Sequence, residues 1–248
     1  MIATSAAGPA VIETRRLGKV YSPGTEAEVV ALRDVDLVIR RGEFVAIMGP
    51  SGSGKSTLMH LLAGLDKPTG GSVVVDGVEL AGLDDAKLTQ LRRDKLGFVF
   101  QFFNLLPVLT AEENIRLPLS IAGRKPDPQW LEELIEVVGL GDRRTHRPAE
   151  LSGGQQQRVA VARALISKPA VVFADEPTGN LDSKASEEVL NLLRHSVDDL
   201  GQTVIMVTHE AHAAAFADRL VVLRDGKVAH DGTAGNEGDV LELMKAVA

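Results

Sequence analysis

The chain has 248 residues, of which 44% are hydrophobic and 25% charged, and a formal net charge of −7 at pH 7. This length suffices for one large α/β domain, and the composition is typical of an ordinary globular protein. The acidic charge argues against a nucleic-acid partner, which usually selects a basic stripe. The absence of cysteine excludes disulfides and cysteine-ligated metals. No apolar stretch approaches the roughly 18 residues that a membrane-spanning helix needs.

The N-terminal residues 1–10 lack the basic start and the continuous apolar core of a secretion signal, so we expect them to form a short flexible tail. Residues 11–248 are expected to form a single domain. Within it, residues 104–166 have a helical pattern that is interrupted by prolines. We interpret them as a helical subdomain inserted into an α/β core.

An antiparallel sheet is predicted near the N-terminus. Val35, Leu37 and Ile39 alternate with mostly polar residues, which indicates a strand with one face on a core. Residues 11–17 and 72–75 have the composition of further strands, and glycine-containing turns flank the second of them.

A glycine-rich loop follows the apolar run 44–48 and opens a helix-like stretch that begins near Ser56. It matches the pattern G-x-x-x-x-G-K-[ST], in which backbone N–H groups surround an oligophosphate and the helix N-terminus adds its dipole. The predicted nucleotide-binding residues are Gly49, Pro50, Ser51, Gly52, Ser53, Gly54, Lys55, Ser56 and Thr57. Lys55 is expected to bind the outer phosphates, and the Ser56 hydroxyl to ligate Mg²⁺.

Several short strands are apolar throughout and alternate with helical stretches, which is typical of a mostly parallel sheet covered on both faces. They comprise residues 44–48, 98–100, 171–174, 204–207 and 220–223. The dipeptide Asp225-Gly226 predicts a hairpin turn after the last of them.

Two acidic residues end one of these strands. The sequence VVFADE places Asp175 at the carboxyl end of a buried strand, where ligands bind in open α/β sheets. We expect Asp175 to hold Mg²⁺ and Glu176 to act as the base for an attacking water. Without the phosphate loop, both acids would be read as caps of the next helix.

The segment LSGGQ predicts a second anion-binding helix end. Ser152 resembles an N-cap, and Gly153 and Gly154 expose backbone N–H groups before a helix predicted over residues 155–167. Gln155 is the fourth residue of this predicted nucleotide-binding segment, residues 152–155. A lone Ser-Gly-Gly is an ordinary helix start, so its position before the acidic strand decides this interpretation.

LSGGQ followed by a strand ending in Asp-Glu closely resembles the nucleotide-binding subunits of ATP-binding-cassette (ABC) transporters, over nearly the whole chain. The resemblance implies a P-loop NTPase with a RecA-like core. It also implies adenine stacking by Tyr21, contact of Gln101 with Mg²⁺ and the attacking water, and contact of His209 with the γ-phosphate and Glu176. The loop Asn180-Leu181-Asp182 is implied to cross between two subunits.

The family resemblance further implies a head-to-tail dimer of this chain that encloses two ATP molecules with Mg²⁺. Each ATP would lie between the phosphate loop of one copy and residues 152–155 of the other. An integral membrane permease would be the second partner, which places the protein at the cytoplasmic face of the membrane. Gly179-Asn180 and the segment after Gln101 look like the branch of lipoprotein-release, macrolide- and peptide-export and cell-division ATPases.

The sequence leaves three questions open: the place of one apolar cluster, the kind of P-loop protein, and the cargo. The apolar residues that follow Gln101 either form the core of the helical subdomain or receive a permease helix; these are Phe102, Phe103, Leu105, Leu106 and Leu109. A soluble DNA-repair or ribosome-type ABC ATPase is one alternative to the transporter subunit, although such chains usually carry two cassettes or long insertions. A P-loop kinase or GTPase is a second alternative, which LSGGQ argues against. The cargo is not encoded in any motif.

Overall fold

The computed structural model describes residues 8–247. Its strands are β1 (Ala10–Tyr21), β2 (Val29–Arg40), β3 (Phe44–Met48), β4 (Gly70–Val75), β5 (Val78–Glu79), β6 (Leu96–Phe100), β7 (Val171–Asp175), β8 (Val204–Val207), β9 (Arg219–Arg224) and β10 (Lys227–Thr233). Its α-helices are α1 (Lys55–Leu62), α2 (Asp85–Lys95), α3 (Ala111–Ile121), α4 (Pro128–Val137), α5 (Gly153–Leu165), α6 (Ser183–Asp198), α7 (Ala211–Ala214) and α8 (Glu237–Val247).

The central sheet has six strands in the order β10-β9-β3-β8-β7-β6. All neighbouring pairs from β9 to β6 are parallel, and only β10 runs antiparallel, to β9. The five apolar runs of the sequence are the five parallel strands, as predicted. Asp225 and Gly226 make the turn into β10 with φ of 50° and 75°, which confirms the hairpin.

The N-terminal sheet has four strands in the order β2-β1-β4-β5, and all its pairs are antiparallel. This confirms the predicted antiparallel sheet. Most of the expected tail, residues 1–7, lies outside the described residues. The rest of it is ordered against the domain, because Ala10 begins β1 and the carbonyl of Pro9 accepts a hydrogen bond from Arg41 N at 3.0 Å.

The central sheet separates two hydrophobic cores, and the strand β7 shows how. Val172 and Ala174 point into the core beneath α3 to α6, whereas Val171 and Phe173 point into the core shared with the N-terminal sheet and α1. All four side chains are buried. A strand that is buried on both faces needs apolar residues at every position, which is why its sequence does not alternate.

The segment 104–166 contains α3, α4, two short 3-10 turns and α5, as the helical pattern predicted. The helix predicted over residues 155–167 in fact runs from Gly153 to Leu165. It also packs on the central sheet: a Cβ at Gly97 in β6 would lie 2.5 Å from the Ala164 carbonyl oxygen. No helix within residues 8–247 is long and apolar enough to cross a lipid bilayer.

Candidate active site

The phosphate loop connects β3 to α1 and depends on glycine at two positions. Gly49 has φ 146°, and a Cβ there would lie 2.2 Å from the Leu223 carbonyl oxygen. Gly54 has φ 106° and caps α1, which begins at Lys55, one residue before the predicted start. The conformation is one that only glycine adopts without strain, so these two residues fix the shape of the loop.

The turn between β9 and β10 supports the loop from the side. Gly226 N donates to the Ser53 carbonyl at 3.1 Å, and the Gly226 carbonyl accepts from Arg33 N at 2.8 Å. A Cβ at Gly226 would lie 2.7 Å from the Ala31 carbonyl oxygen. The turn therefore joins the phosphate loop to β2 through main-chain hydrogen bonds.

Lys55 holds its ammonium group across the loop. Its Nζ donates to the carbonyls of Gly49 and Pro50 at 2.8 and 2.9 Å. Burial lowers the pKa of Lys55, and the charges of Glu176 and Asp175 oppose that shift. The ammonium thus lies between the glycine-rich backbone and the two carboxylates, where an outer phosphate would meet it.

Asp175 and Glu176 lie at the carboxyl end of β7, between β6 and β8. Burial raises the pKa of Asp175, the charge of Glu176 raises it further, and His60 and Lys55 act in the opposite direction. Three side chains with hard oxygen atoms, of the type that Mg²⁺ prefers, follow the carboxyl ends of the parallel strands: Ser56 after β3, Gln101 after β6 and Asp175 at the end of β7.

Glu176 is held in a left-handed backbone conformation with φ 46°. Its Oε1 pairs with Nδ1 of His209 at 2.9 Å, whereas its Oε2 is buried and has no hydrogen-bond partner among the described residues. That hydrogen bond, followed by the charge of Glu176, raises the pKa of His209. One carboxylate oxygen is therefore oriented by the histidine, and the other is buried without a partner among residues 8–247.

Gln101 is held by the loop that follows Glu176. Its Nε2 donates to Oδ1 of Asn180 at 3.2 Å, and Nδ2 of Asn180 donates to the Gln101 carbonyl at 3.0 Å. A Cβ at Gly179 would lie 2.8 Å from Nε2 of Gln101. The loop after Glu176 therefore fixes the orientation of the Gln101 amide.

Tyr21 ends β1 beside α1. Its hydroxyl donates to Oδ2 of Asp66 at 3.1 Å and lies 3.5 Å from Oγ1 of Thr57, the last residue of the phosphate loop. The residue is 38% exposed. The structure therefore brings the Tyr21 side chain next to the nucleotide loop, whereas adenine stacking by its ring stays a prediction.

Ser152 caps α5 by a capping box. Its Oγ accepts from Gln155 N at 3.3 Å, and Oε1 of Gln155 accepts from Ser152 N at 2.8 Å. Gly154 packs on α6, where a Cβ would lie 2.8 Å from that of Ala185. Within residues 8–247, no hydrogen bond joins residues 152–155 to the phosphate loop of the same chain.

The sequence of these elements was compared with known proteins, and residues 32–179 match the family described as ABC transporter. The chain belongs to the ABC transporter family. Two relatives extend the match beyond those residues. An ABC transporter ATP-binding protein of Thermotoga maritima is 50% identical over 220 residues, which cover 88% of this chain and 93% of the relative. The macrolide export ATP-binding/permease protein MacB of Aggregatibacter actinomycetemcomitans is 49% identical over 224 residues, which cover 89% of this chain and 34% of that longer protein.

Solved ABC cassettes share the fold. The dimeric post-hydrolysis structure of MJ0796 bound to ADP and Pi has a TM-score of 0.79 and 44% identity, and the match covers 90% of this chain and 98% of that one. MJ0796 is an ABC transporter ATP-binding protein of Methanocaldococcus jannaschii. The predicted family, its macrolide-export-like branch and the P-loop NTPase fold are confirmed. The chain is an ABC ATPase.

Two contacts of this ABC ATPase were not predicted. The sequence assigned Asn180 to a loop that crosses between subunits and used Gly179-Asn180 to choose a branch of the family. Within the chain, however, Asn180 holds the side chain of Gln101. Gln157 is fully buried, and its Nε2 donates to the carbonyls of Phe100 and Pro177 at 3.2 and 2.5 Å. In the sequence Gln157 is only the third glutamine of LSGGQQQ. That position alone does not reveal that its side chain joins α5 to the end of β6 and to the loop after Glu176.

Proposed function

We propose that this chain is the ATP-hydrolysing subunit of an ABC transporter of the export or mechanotransmission branch. One observation carries the proposal: Glu176 has one oxygen paired with His209 and the other buried without a partner, next to a phosphate loop that carries Lys55. An oriented carboxylate beside a triphosphate is the arrangement that hydrolysis by water requires.

In the proposed reaction, the backbone N–H groups of the phosphate loop and the Lys55 ammonium bind and orient the phosphates. Oε2 of Glu176 accepts a proton from the attacking water, and His209 keeps the carboxylate aimed by its contact to Oε1. Ser56, Asp175 and Gln101 would hold Mg²⁺, which neutralises phosphate charge when bound. Burial of Asp175 supports that assignment.

We further propose that two copies of the chain bind head to tail, with ATP between them. The capped helix end at Ser152 makes no hydrogen bond to its own phosphate loop within residues 8–247, and the N-terminus of a helix suits an anion. A partner copy would supply this surface to complete each site. The dimeric form of the related MJ0796 cassette supports the proposal.

The second proposed partner is a membrane permease, which would keep the chain at the cytoplasmic face. A groove of about 410 Å³ runs between α2, β6 and α3, with Leu65, Phe98 and Ile121 among its lining residues. Phe102, in the segment that follows β6, is 73% exposed, whereas Leu105 packs on the core, so the apolar cluster after Gln101 divides between both earlier interpretations.

The loop that follows Gln101 links this groove to the site. Arg163 donates to the carbonyls of Phe103 and Asn104 at 2.7 and 2.6 Å, and both of those residues have positive φ. A short amphipathic helix fits an apolar groove of this size. The proposed occupant is a cytoplasmic helix of the permease, consistent with the permease that MacB carries in the same chain.

Glu176→Gln tests the reaction. We expect the variant to keep ATP affinity and to lose about 10²- to 10⁴-fold in turnover, because the amide cannot accept the proton. It should also accumulate as an ATP-bound dimer in size-exclusion chromatography. Glu133→Gln, on the exposed face of α4, is the matched control and should hydrolyse normally. Near-normal turnover by Glu176→Gln would refute the assignment of the base.

A test of the partner uses the membrane fraction. The intact chain should co-purify with an integral membrane protein, and Phe102→Glu should weaken that association while basal ATPase activity stays close to normal. A soluble ABC ATPase would show no such association, and that result would remove the transporter role but leave the hydrolysis site standing.

A further inference from the structure

The contacts around Tyr21 extend the proposed function to residues that no motif includes. The inference rests on the proposed binding of ATP with its adenine against Tyr21. Asp66 follows α1, and Lys19 precedes Tyr21 by two residues on β1. These three side chains form a connected cluster beside the phosphate loop.

Asp66 occupies the centre of the cluster. Its Oδ2 accepts from the Tyr21 hydroxyl at 3.1 Å, and its Oδ1 accepts from Nζ of Lys19 at 2.7 Å and from Lys67 N at 2.7 Å. Burial alone would raise the pKa of Asp66, but the hydrogen bonds from Lys19, Lys67 and Tyr21 hold it below its ordinary value. The carboxylate is therefore ionised at neutral pH and acts only as an acceptor.

Lys19 is only 8% exposed, which is unusual for a lysine, and its Nζ also donates to the Lys67 carbonyl at 2.8 Å. The same ammonium lies over the Tyr21 ring, 4.9 Å from the ring centroid. A cation at this distance attracts the ring face. The Lys19 ammonium therefore lies on one face of the ring, in a residue that is 38% exposed overall.

We propose that Asp66 and Lys19 are positioning residues that fix the orientation of the Tyr21 ring and thereby set the affinity of the site for the adenine part of the nucleotide. An exposed tyrosine without these contacts would have to be immobilised when the base binds. Ordering one side chain of this kind corresponds to roughly two- to tenfold in affinity. The phosphates contact other groups, so their binding should not depend on the cluster.

The test compares the binding of ADP, which carries the adenine, with that of inorganic pyrophosphate, which lacks it, by titration calorimetry on the full chain. Asp66→Asn and Tyr21→Phe should each weaken ADP binding by roughly two- to tenfold and leave pyrophosphate binding unchanged. Because both variants break the same hydroxyl–carboxylate contact, the loss of ADP affinity in the double variant should be smaller than the two single losses combined. Asp85→Asn, which alters an exposed pair with Lys67, is the matched control.

Additive losses in the double variant, unchanged ADP affinity in Asp66→Asn, or equal weakening of pyrophosphate would overturn the positioning role. Tyr21→Ala separates this from the proposed function. If Tyr21→Ala weakens ADP binding and Asp66→Asn does not, only the positioning role is wrong. If Tyr21→Ala leaves ADP affinity unchanged, adenine stacking by Tyr21 is wrong and the positioning role fails with it. If Asp66→Asn does not fold, Tyr21→Phe alone decides: the ratio of its ADP affinity to its pyrophosphate affinity should fall, and an unchanged ratio would overturn the positioning role.

Discussion

Asn114 in α3 holds the loop that leads from Gln101 to the proposed permease groove, and replacing it should cost considerable stability. The residue is fully buried. Its Oδ1 accepts from Leu106 N at 2.8 Å, and its Nδ2 donates to the carbonyls of Leu106, Leu109 and Thr110 at 3.1, 3.2 and 2.9 Å. Asn114→Leu keeps the number and branching of the side-chain heavy atoms but removes all four contacts.

The Thr110 carbonyl keeps its helical partner, Asn114 N, and the Leu106 carbonyl keeps Leu109 N, so the loss of these two contacts should cost little. The other two groups, Leu106 N and the Leu109 carbonyl, belong to the loop, and each hydrogen bond contributes about 1 kcal/mol net. We therefore expect Asn114→Leu to lower the free energy of unfolding by about 2 kcal/mol. Leucine is bulkier than asparagine, so no cavity forms, and any cost of fitting the larger side chain adds to this value.

Urea denaturation of the purified chain measures the effect. The midpoint should fall while the slope with denaturant stays constant, because the same surface is exposed on unfolding. Ser120→Ala, on the exposed part of the same helix, should change stability by less than about 0.5 kcal/mol. Amide exchange at Leu106 should also become faster. If Asn114→Leu lowers the free energy of unfolding by less than about 0.5 kcal/mol, water replaces these contacts. The number of lost hydrogen bonds would then not predict the loss of stability.

Two further outcomes concern Gln101 and the C-terminal helix. Gly179→Ala places a Cβ 2.8 Å from Nε2 of Gln101, so the flexible amide should move away from Asn180. The melting temperature should stay unchanged, whereas the Mg²⁺ concentration for half-maximal ATPase activity should rise roughly two- to tenfold. The control Gly82→Ala should leave this Mg²⁺ requirement as it is, and an unchanged requirement in Gly179→Ala would contradict the role of the contact. Hydrogen bonding to the carboxylates of Glu187 and Glu237 raises the pKa of His212, so its stabilisation is full below its unfolded pKa and is lost as pH rises through the folded value. As the pH rises from below to above the ordinary histidine pKa of about 6.5, the native chain should lose more stability in urea than His212→Gln, and parallel curves would refute this.

Much of the fold follows from the sequence because its signals are local. Apolar runs such as residues 171–174 predicted the parallel strands, and the motif around Lys55 predicted the loop and its helix. The start of α5 was placed two residues late because glycine at 153 and 154 is a poor helix former, yet the Ser152 cap and the contact with α6 draw both into the first turn.

The contacts that connect the site could not be predicted in the same way. Gln101 and Asn180 are 79 residues apart in sequence, and Tyr21 and Asp66 are 45 apart. Each pair forms only because β6, β7 and the N-terminal sheet bring separate loops together. A single sequence specifies which side chains are polar, but their partners depend on strand order, which no local pattern contains.

Hairpin tips on protein surfaces are common places to graft epitopes, labels or sensor domains, because extra residues there seldom disturb the rest of a chain. The tip at Gly226 is different. Its amide and carbonyl already bridge Ser53 and Arg33, and the position has no room for a side chain. An insertion at this tip would shift the loop around the triphosphate, so a reporter intended to leave catalysis intact belongs elsewhere, for example near the open Gly123 at the end of α3.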